Sequence, residues 1–415
     1  MAQTMKWGQA YSVLLDVGAV ANAFTLDIDT LDNTTNVLDG TTNFVDATQY
    51  VLSVSIKRGR QSQIDNMQVG ICQATFDDRL SGRLFDPANT ASTWYAGNLD
   101  LSPRRNFKVL AGTAELFVGK ITDLDIQYAM PNLSFCSITA ADGLYQLSTT
   151  TLQGFNPSEQ LTSARVTAIL NRPEVAYSTA LRSIETGVAT CGTVAYADNT
   201  NVLSALQSVA IAEDGRLYAN RKNEITFNKR IFSTFSTAVK NFGGTAASSV
   251  PMTDISVGYG QETLFNRVSI SVDGFGTAQV VSDTASQTQF GVQSYSLDNV
   301  PLSTQAAGSA LAVNILAKYK NPVFRFDEIS TSLQACGTAI YSTLVTLDVG
   351  DIVSVTKNYQ TGLPLSKTDN VYIESVSHDI TPQDHRIRFG LGQANVVSTF
   401  ILNTSTLDNT LFGLG

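Results

Sequence analysis

Apolar and polar residues alternate with period two along much of the chain. Leu52, Val54 and Ile56 alternate with Ser53 and Ser55 before Lys57, Arg58, Gly59 and Arg60 close the run. Val268, Ile270 and Val272 alternate with Arg267, Ser269 and Ser271, and Ile387 and Phe389 with Arg386 and Arg388. In an extended chain every second side chain points to the same face, so each run predicts a strand with one face in a core. Turn signals punctuate the runs at Asp142-Gly143, Asp214-Gly215, Gly243-Gly244, Asp273-Gly274 and Gly350-Asp351. Three segments carry helical spacing instead. Val202, Leu206 and Val209 share a face in 201–212, with Asn199 to Asn201 placed to cap it. Leu311, Ile315 and Tyr319 share a face in 304–319, which Asn321-Pro322 ends. Val166, Ile169 and Leu170 mark a shorter helix over about 162–171, stopped at Arg172-Pro173. No solenoid-type repeat is present. The pattern predicts a mainly β protein with minor α.

At roughly 100–200 residues per domain, 415 residues predict two to four domains. The stretch from Asp27 to Asp46, rich in Asn, Thr and Asp, reads as a surface excursion before the first clear strand. Residues 232–252, rich in Ser, Thr, Ala and Gly, read as a linker. The tail from Gln393 to Gly415 carries Val396, Val397, Phe400, Ile401, Leu402, Leu411 and Phe412, and is expected to dock.

Composition sharpens the picture. Apolar residues make up 43% of the chain, enough for cores. Charged residues make up only 15%, against roughly 25% in ordinary soluble proteins. Sheets with neutral polar outer faces, covered by other subunits, fit that balance. The net charge of -9 argues against wrapping nucleic acid, which needs clustered Lys and Arg. Residues 1–50 hold Lys6 against Asp16, Asp27, Asp29, Asp32, Asp39 and Asp46, so this segment alone carries more than half of the excess. A basic amphipathic membrane anchor is equally disfavoured, and no apolar run approaches the roughly 18 residues of a membrane span. Met1 to Gln9 has no basic region leading into an apolar stretch, so no secretory signal is expected and folding in the cytoplasm is. Cys72, Cys136, Cys191 and Cys336 are scattered without C-x-x-C spacing. They read as small buried apolar residues, not disulfides or a zinc site.

Candidate chemistry is sparse. His378 and His385 are the two histidines, and they flank a Thr381-Pro382 turn. A metal or general-base role competes there with a structural one at a hairpin, which is preferred. H-E-x-x-H, G-x-S-x-G and P-loop patterns are absent. Any serine or cysteine triad would have to recruit one of these histidines. The run from Asp27 to Asn33 superficially resembles a calcium loop, but Leu31 occupies the third acidic position and no Gly or terminal Glu follows in register. Asn33 and Asn132 head glycosylation sequons without a signal peptide to give them meaning. Among the thirty-six acids nothing singles out a catalytic pair. No catalytic, cofactor or metal site is assigned.

Two stretches carry a family resemblance. The first is VSIKRGRQSQID at 54–65, GICQATFDD at 70–78, GRLFDPAN at 82–89, YAGNL at 95–99 and LFVGKI at 116–121. The second is AEDGRLY at 212–218, FNRV at 265–268, DTAS at 283–286, YKNP at 319–322, LDVGDIV at 347–353 and VSHDI at 376–380. In this order they resemble the minor tail proteins of long-tailed bacteriophages, in particular the baseplate hub of the tail tip as found in actinobacterial phages. The resemblance covers roughly 50–395. It departs at Gly18 to Asp46, which has no counterpart, and at Phe76-Asp77-Asp78, where the family carries an Asn-bearing strand end.

The resemblance implies two tube-type β-barrel domains, 47–150 and 246–395, joined by an α+β segment with linker at 151–245. An N-terminal strand and polar excursion, 1–46, would precede them and a docking tail 396–415 would follow. It implies a homotrimer whose six barrels close a ring between the sixfold tail tube and the threefold tip. Partners would be the distal tail protein, the C-terminus of the tape-measure protein and tail-tip spike or fibre proteins, with DNA passing only transiently and no membrane anchor. The location implied is the virion tail tip. Closed rings hide sheet edges, and an acidic lumen repels phosphates. A receptor-binding adhesin and a distal tail protein are the competing readings. A fused cell-wall hydrolase lacks room after the second barrel, and a non-enzymatic role is expected.

Overall fold

In a computed structural model of the chain, the residues described are 11–18, 44–95, 101–129, 133–230, 238–244, 249–333, 336, 338–393, 398–399 and 412–413. Thirteen strands join one sheet. Across it the order is Asp254–Gly258, Arg325–Ser332, His385–Gln393, Ser366–Ile380, Val51–Gly59, Gln68–Asp77, Leu133–Ala141, Ala114–Ala129, Asn106–Ala111, Tyr11–Asp16 and Phe44–Asp46. Each neighbouring pair in that order is antiparallel. Ile352–Asn358 adds to the free edge of Ser366–Ile380, and Lys240–Phe242 lies parallel beside it. The expected mainly β class and a large antiparallel sheet are therefore present. The end strands of the sheet do not pair among the described residues, and no closed barrel is detected.

The sheet curls so that its two halves share one apolar interior. Val13, Leu15, Val54, Ile56, Phe76, Phe107 and Ile138 from the first half pack in the same cluster as Phe242, Ile329, Val355, Ile373, Ile387 and Phe389 from the second. Alternation explains most of these positions, since Val54 and Ile56 are buried as the period-two pattern requires. Leu52 breaks it and stands 38% exposed. The register with Gln68–Asp77 shifts between Val51 and Ser53, and such a bulge turns one residue out of the pleat.

Two smaller units pack on this sheet. In the first, helices Gly143–Ser148, Thr162–Leu170 and Val202–Glu213 cover the strands Arg216–Ala219 and Ile225–Asn228 around Leu206, Val209, Ile169 and Phe227. The three helices expected from spacing are all present, the second and third as Thr162–Leu170 and Gln305–Tyr319. The Asn201 side chain accepts from Ser204 N–H at 3.0 Å to cap Val202–Glu213, and Asp214 ends it in the left-handed region. In the second unit Arg267–Val272 pairs with Gln279–Ser282 and Ser294–Val300, under helix Gln305–Tyr319. Val268, Ile270 and Val272 are buried there, as alternation predicts, but in this separate sheet.

Other local readings change. Asp142-Gly143, expected as a turn between strands, is a helix start, with Asp142 Oδ1 accepting from Leu144 N–H at 3.0 Å. Within 232–252 the chain forms strand Lys240–Phe242 and buries Val250, so this part belongs to the sheet. Residues 19–43, most of the polar excursion, lie outside the described residues, as do the tail residues 394–397, 400–411, 414 and 415. The described end of the excursion, Phe44–Asp46, pairs with Leu14 to Asp16.

Phe389 is fully buried and meets Phe242 edge-on at 5.8 Å. Phe389→Ala is expected to lower unfolding free energy by about 3–5 kcal/mol. Leu363→Ser, at a side chain 92% exposed, should change it by no more than about 0.5 kcal/mol. Urea titration of both variants measures the contrast.

Candidate functional site: the junction between the sheet halves

The two halves of the sheet meet where Val54–Gly59 pairs with Ser375–Ile380. Gly59 sits at φ +102, and a Cβ there would lie 2.1 Å from the Glu374 carbonyl oxygen. Only glycine permits both that conformation and that approach. The next residue, Arg60, donates its N–H to the same carbonyl at 2.9 Å.

The Glu374 side chain, 1% exposed, ties three segments together. Its Oε2 accepts from Arg60 Nε at 2.8 Å and its Oε1 from Arg216 Nη2 at 2.7 Å. The Arg216 guanidinium also lies 4.3 Å over the Tyr372 ring. Burial by itself would raise the Glu374 carboxyl, but the charges of Arg216 and Arg60 override it and hold the group below its ordinary value. Burial opposes the charge on Arg216 as well, and Glu374 more than offsets it.

A second ion pair reaches out from the adjacent strand, Val51–Gly59. Arg58 Nη1 meets Asp348 Oδ1 at 2.6 Å, and Asp348 Oδ2 accepts from Arg221 N–H at 2.7 Å. Arg221 in turn donates to the Glu115 carbonyl at 2.9 Å. Nearby, Asp142 Oδ2 accepts from Gly70 N–H at 2.7 Å. Burial lifts its carboxyl to about 7, against the lowering influence of the Gly70 and Leu144 N–H groups and of Arg58.

His378 and His385 come together across the 366–380 and 385–393 strands, with His378 Nδ1 and His385 Nε2 3.0 Å apart. They flank the 381–384 turn, as the sequence indicates. His385 Nδ1 meets the Tyr11 hydroxyl at 2.6 Å, and Tyr341 donates its hydroxyl to Tyr11 at 2.6 Å. Burial drives His378 far below the ordinary imidazole value, helped by His385 and Arg58, and takes His385 to about 3 against the pull of Asp384. Both rings are sealed from solvent, at 1% and 2% exposure, and they bond to Tyr11 and to one another.

Among the described residues no group of three or more His, Cys, Asp or Glu is arranged to hold a metal ion. Cys72, Cys136, Cys191 and Cys336 are free and buried. Asp27 to Asn33 and the sequon residues Asn33 and Asn132 lie outside the described residues. No helix of the described residues is long and apolar enough to cross a membrane. The residues that sequence reasoning missed are Glu374, Arg216 and Asp348. The available signal was Glu374 itself, a charge directly after the apolar run Val371-Tyr372-Ile373.

No protein-family model matches the sequence, and no curated protein matches it. Solved structures do. The tail protein from Neisseria meningitidis MC58 is similar with a TM-score of 0.59 at 11% identity, over 93% of this chain and 97% of that one. The 43 kDa tail protein of prophage MuSo2 from Shewanella oneidensis gives 0.53 at 10% identity, over 85% and 96%. Prophage tail protein gp18 from Listeria monocytogenes EGD-e gives 0.50 at 11% identity, over 94% and 96%. At such identities the likeness is one of fold, and it spans nearly the whole length of each chain.

Removing one partner of a buried ion pair leaves the others uncompensated, at a cost of about 3–5 kcal/mol. Glu374→Gln should lose that much stability at pH 7. Because the folded carboxyl lies below its ordinary 4.5, its contribution is present above that pH and fades as pH falls below it. The gap between wild type and variant in urea titrations should therefore narrow toward pH 3.

Proposed function

We propose that the chain is a structural component of a phage-type tail tip, a homotrimeric hub of the kind its sequence resembles in actinobacterial phages. In this reading 47–150 and 246–395 each take one ring position, so three chains supply six. The ring would join the sixfold tube to a threefold tip and form part of the channel through which DNA leaves. Its neighbours would be the distal tail protein, the tape-measure C-terminus and a spike or fibre protein, and its place the virion tail tip.

The observation that carries this reading is the continuous sheet across 51–59 and 366–380, in a chain with the fold of phage tail proteins. A chain that must present two ring positions at a fixed angle needs them locked to one another. Backbone pairing, one shared core and the buried Glu374 ion pairs supply such a lock. The non-enzymatic part of the reading is supported by the tail proteins whose fold the chain shares, and by two histidines that are buried in the core and bonded to Tyr11 and to one another.

Purified protein should form a trimer by native mass spectrometry and give threefold particles with a central channel in electron microscopy. A ring of six equivalent copies would indicate a distal tail protein instead, and a monomer at tail-assembly concentrations would defeat the hub reading. The same preparation should release no fragments from peptidoglycan. Cleavage that disappears in His378→Asn would contradict the non-enzymatic assignment.

A further inference from the structure

The four hydrogen-bonded rings at the junction form a chain with one proton arrangement in which every linking donor finds an acceptor. Tyr341 donates to the Tyr11 oxygen, so Tyr11 turns its own proton to His385 Nδ1. His385 must then carry its proton on Nε2 and donate to His378 Nδ1. Each member satisfies the next only while both imidazoles are neutral. The chain crosses the curled sheet from strand Tyr11–Asp16 and helix Thr338–Leu344 to the pair Ser366–Ile380 and His385–Gln393. It is a polar tie between facing layers otherwise held by apolar contact.

One added proton breaks this order. A proton on His378 Nδ1 would confront the Nε2–H of His385 at 3.0 Å. To relieve it, His385 must switch tautomer, Tyr11 must turn toward Tyr341, and Tyr341 must give up its acceptor. A second proton would set two like charges at the same distance. The charged surroundings do not absorb this. Arg58, on strand Val51–Gly59, faces His378 and is itself cationic, with Nε and Nη2 buried and unpartnered. Asp384, in the turn, is the acid that favours a proton on His385. It is already engaged by Arg386 at 3.1 Å and by Ser332 at 2.7 Å. The remaining titratable neighbours, Tyr11 and Tyr341, are held neutral by burial. A small apolar cavity bounded by Tyr11, Val13, Val54, Val109, Ile380 and Pro382 lies beside the chain.

We propose that the Tyr341–Tyr11–His385–His378 chain is an acid-operated latch. It clamps strand Tyr11–Asp16 and helix Thr338–Leu344 onto the junction when both imidazoles are neutral, and releases them when protons enter. The sign follows from the lowered folded values of both rings. The latch is fully closed above the ordinary imidazole value of 6.5, and is lost progressively as pH falls from there toward about 3. Each imidazole that takes up a proton on opening shifts the equilibrium by up to about tenfold per pH unit. Asp142 works in the opposite direction, since its raised carboxyl favours the folded state at acid pH.

Amide hydrogen exchange on the full chain between pH 7.5 and 4.5, corrected for intrinsic rates, tests the latch. Amides of 11–16 and 338–344 should lose protection below pH 6.5, by up to about 100-fold per unit if both rings protonate. Amides of 202–213 and 225–228 should hold theirs. His378→Asn keeps an acceptor for His385 and should flatten the slope by about tenfold per unit. Tyr11→Phe should loosen the same amides at every pH without changing the slope. An unchanged slope in His378→Asn, or simultaneous loss of protection across the whole chain, would overturn the proposal. Imidazole NMR titration of the wild type gives an answer that does not depend on the variants folding. Both rings neutral at pH 5.5 in the closed protein agrees with the latch, and either ring charged there refutes it.

Discussion

Strand Ser366–Ile380 is the constraint on which the rest of the structure depends. It pairs along its whole length with other strands, with His385–Gln393 on one edge and with Ile352–Asn358 and then Val51–Gly59 on the other. At its centre Val371, Tyr372, Ile373 and Glu374 are all buried, so both faces are covered there as well. A strand enclosed on four sides cannot shift register without exposing apolar groups on one face and stranding a charge on the other. Glu374 makes the restriction specific. Any slip would separate its carboxylate from Arg60 and Arg216, leaving charges in a place with no water to replace them.

The remaining architecture follows from that fixed strand. Because Val51–Gly59 is bonded to it, the first half of the sheet begins at a set position relative to the second, and curling brings Tyr11 over His385. Because Arg216 reaches the same carboxylate, the α+β unit built on Val202–Glu213 and Arg216–Ala219 is seated against the junction. Asp348, bonded to both Arg58 and the backbone of Arg221, holds that unit at a second point. The body so built has the fold seen in phage tail proteins.

Much of this was legible in the sequence, in proportion to how local its cause was. Alternation at Val54 and Ile56, and helical spacing at Val202, Leu206 and Val209, report on neighbouring residues and were read correctly. Leu52 was misread because a bulge is fixed by the partner strand, which local spacing does not reveal. Asp142-Gly143 carries the same letters whether it turns a hairpin or caps a helix, and Leu144 and Leu147 in the core decide it. The junction was hidden for the same reason. Glu374 meets Arg60 across 314 positions and Arg216 across 158, and no periodicity spans such distances. His378 and His385, seven residues apart on two paired strands, were visible as a pair, but Tyr11 lies 374 positions from His385 and was not.

The central claim is that the two halves of the sheet behave as one body because of the 51–59 and 366–380 pairing. Native-state hydrogen exchange at pH 7.5 with graded denaturant measures this directly. Amides of Val51–Gly59, Gln68–Asp77, Ser366–Ile380 and His385–Gln393 should converge on a single opening free energy. Separate opening energies for the first and second halves, with the junction amides exchanging before either, would contradict the account.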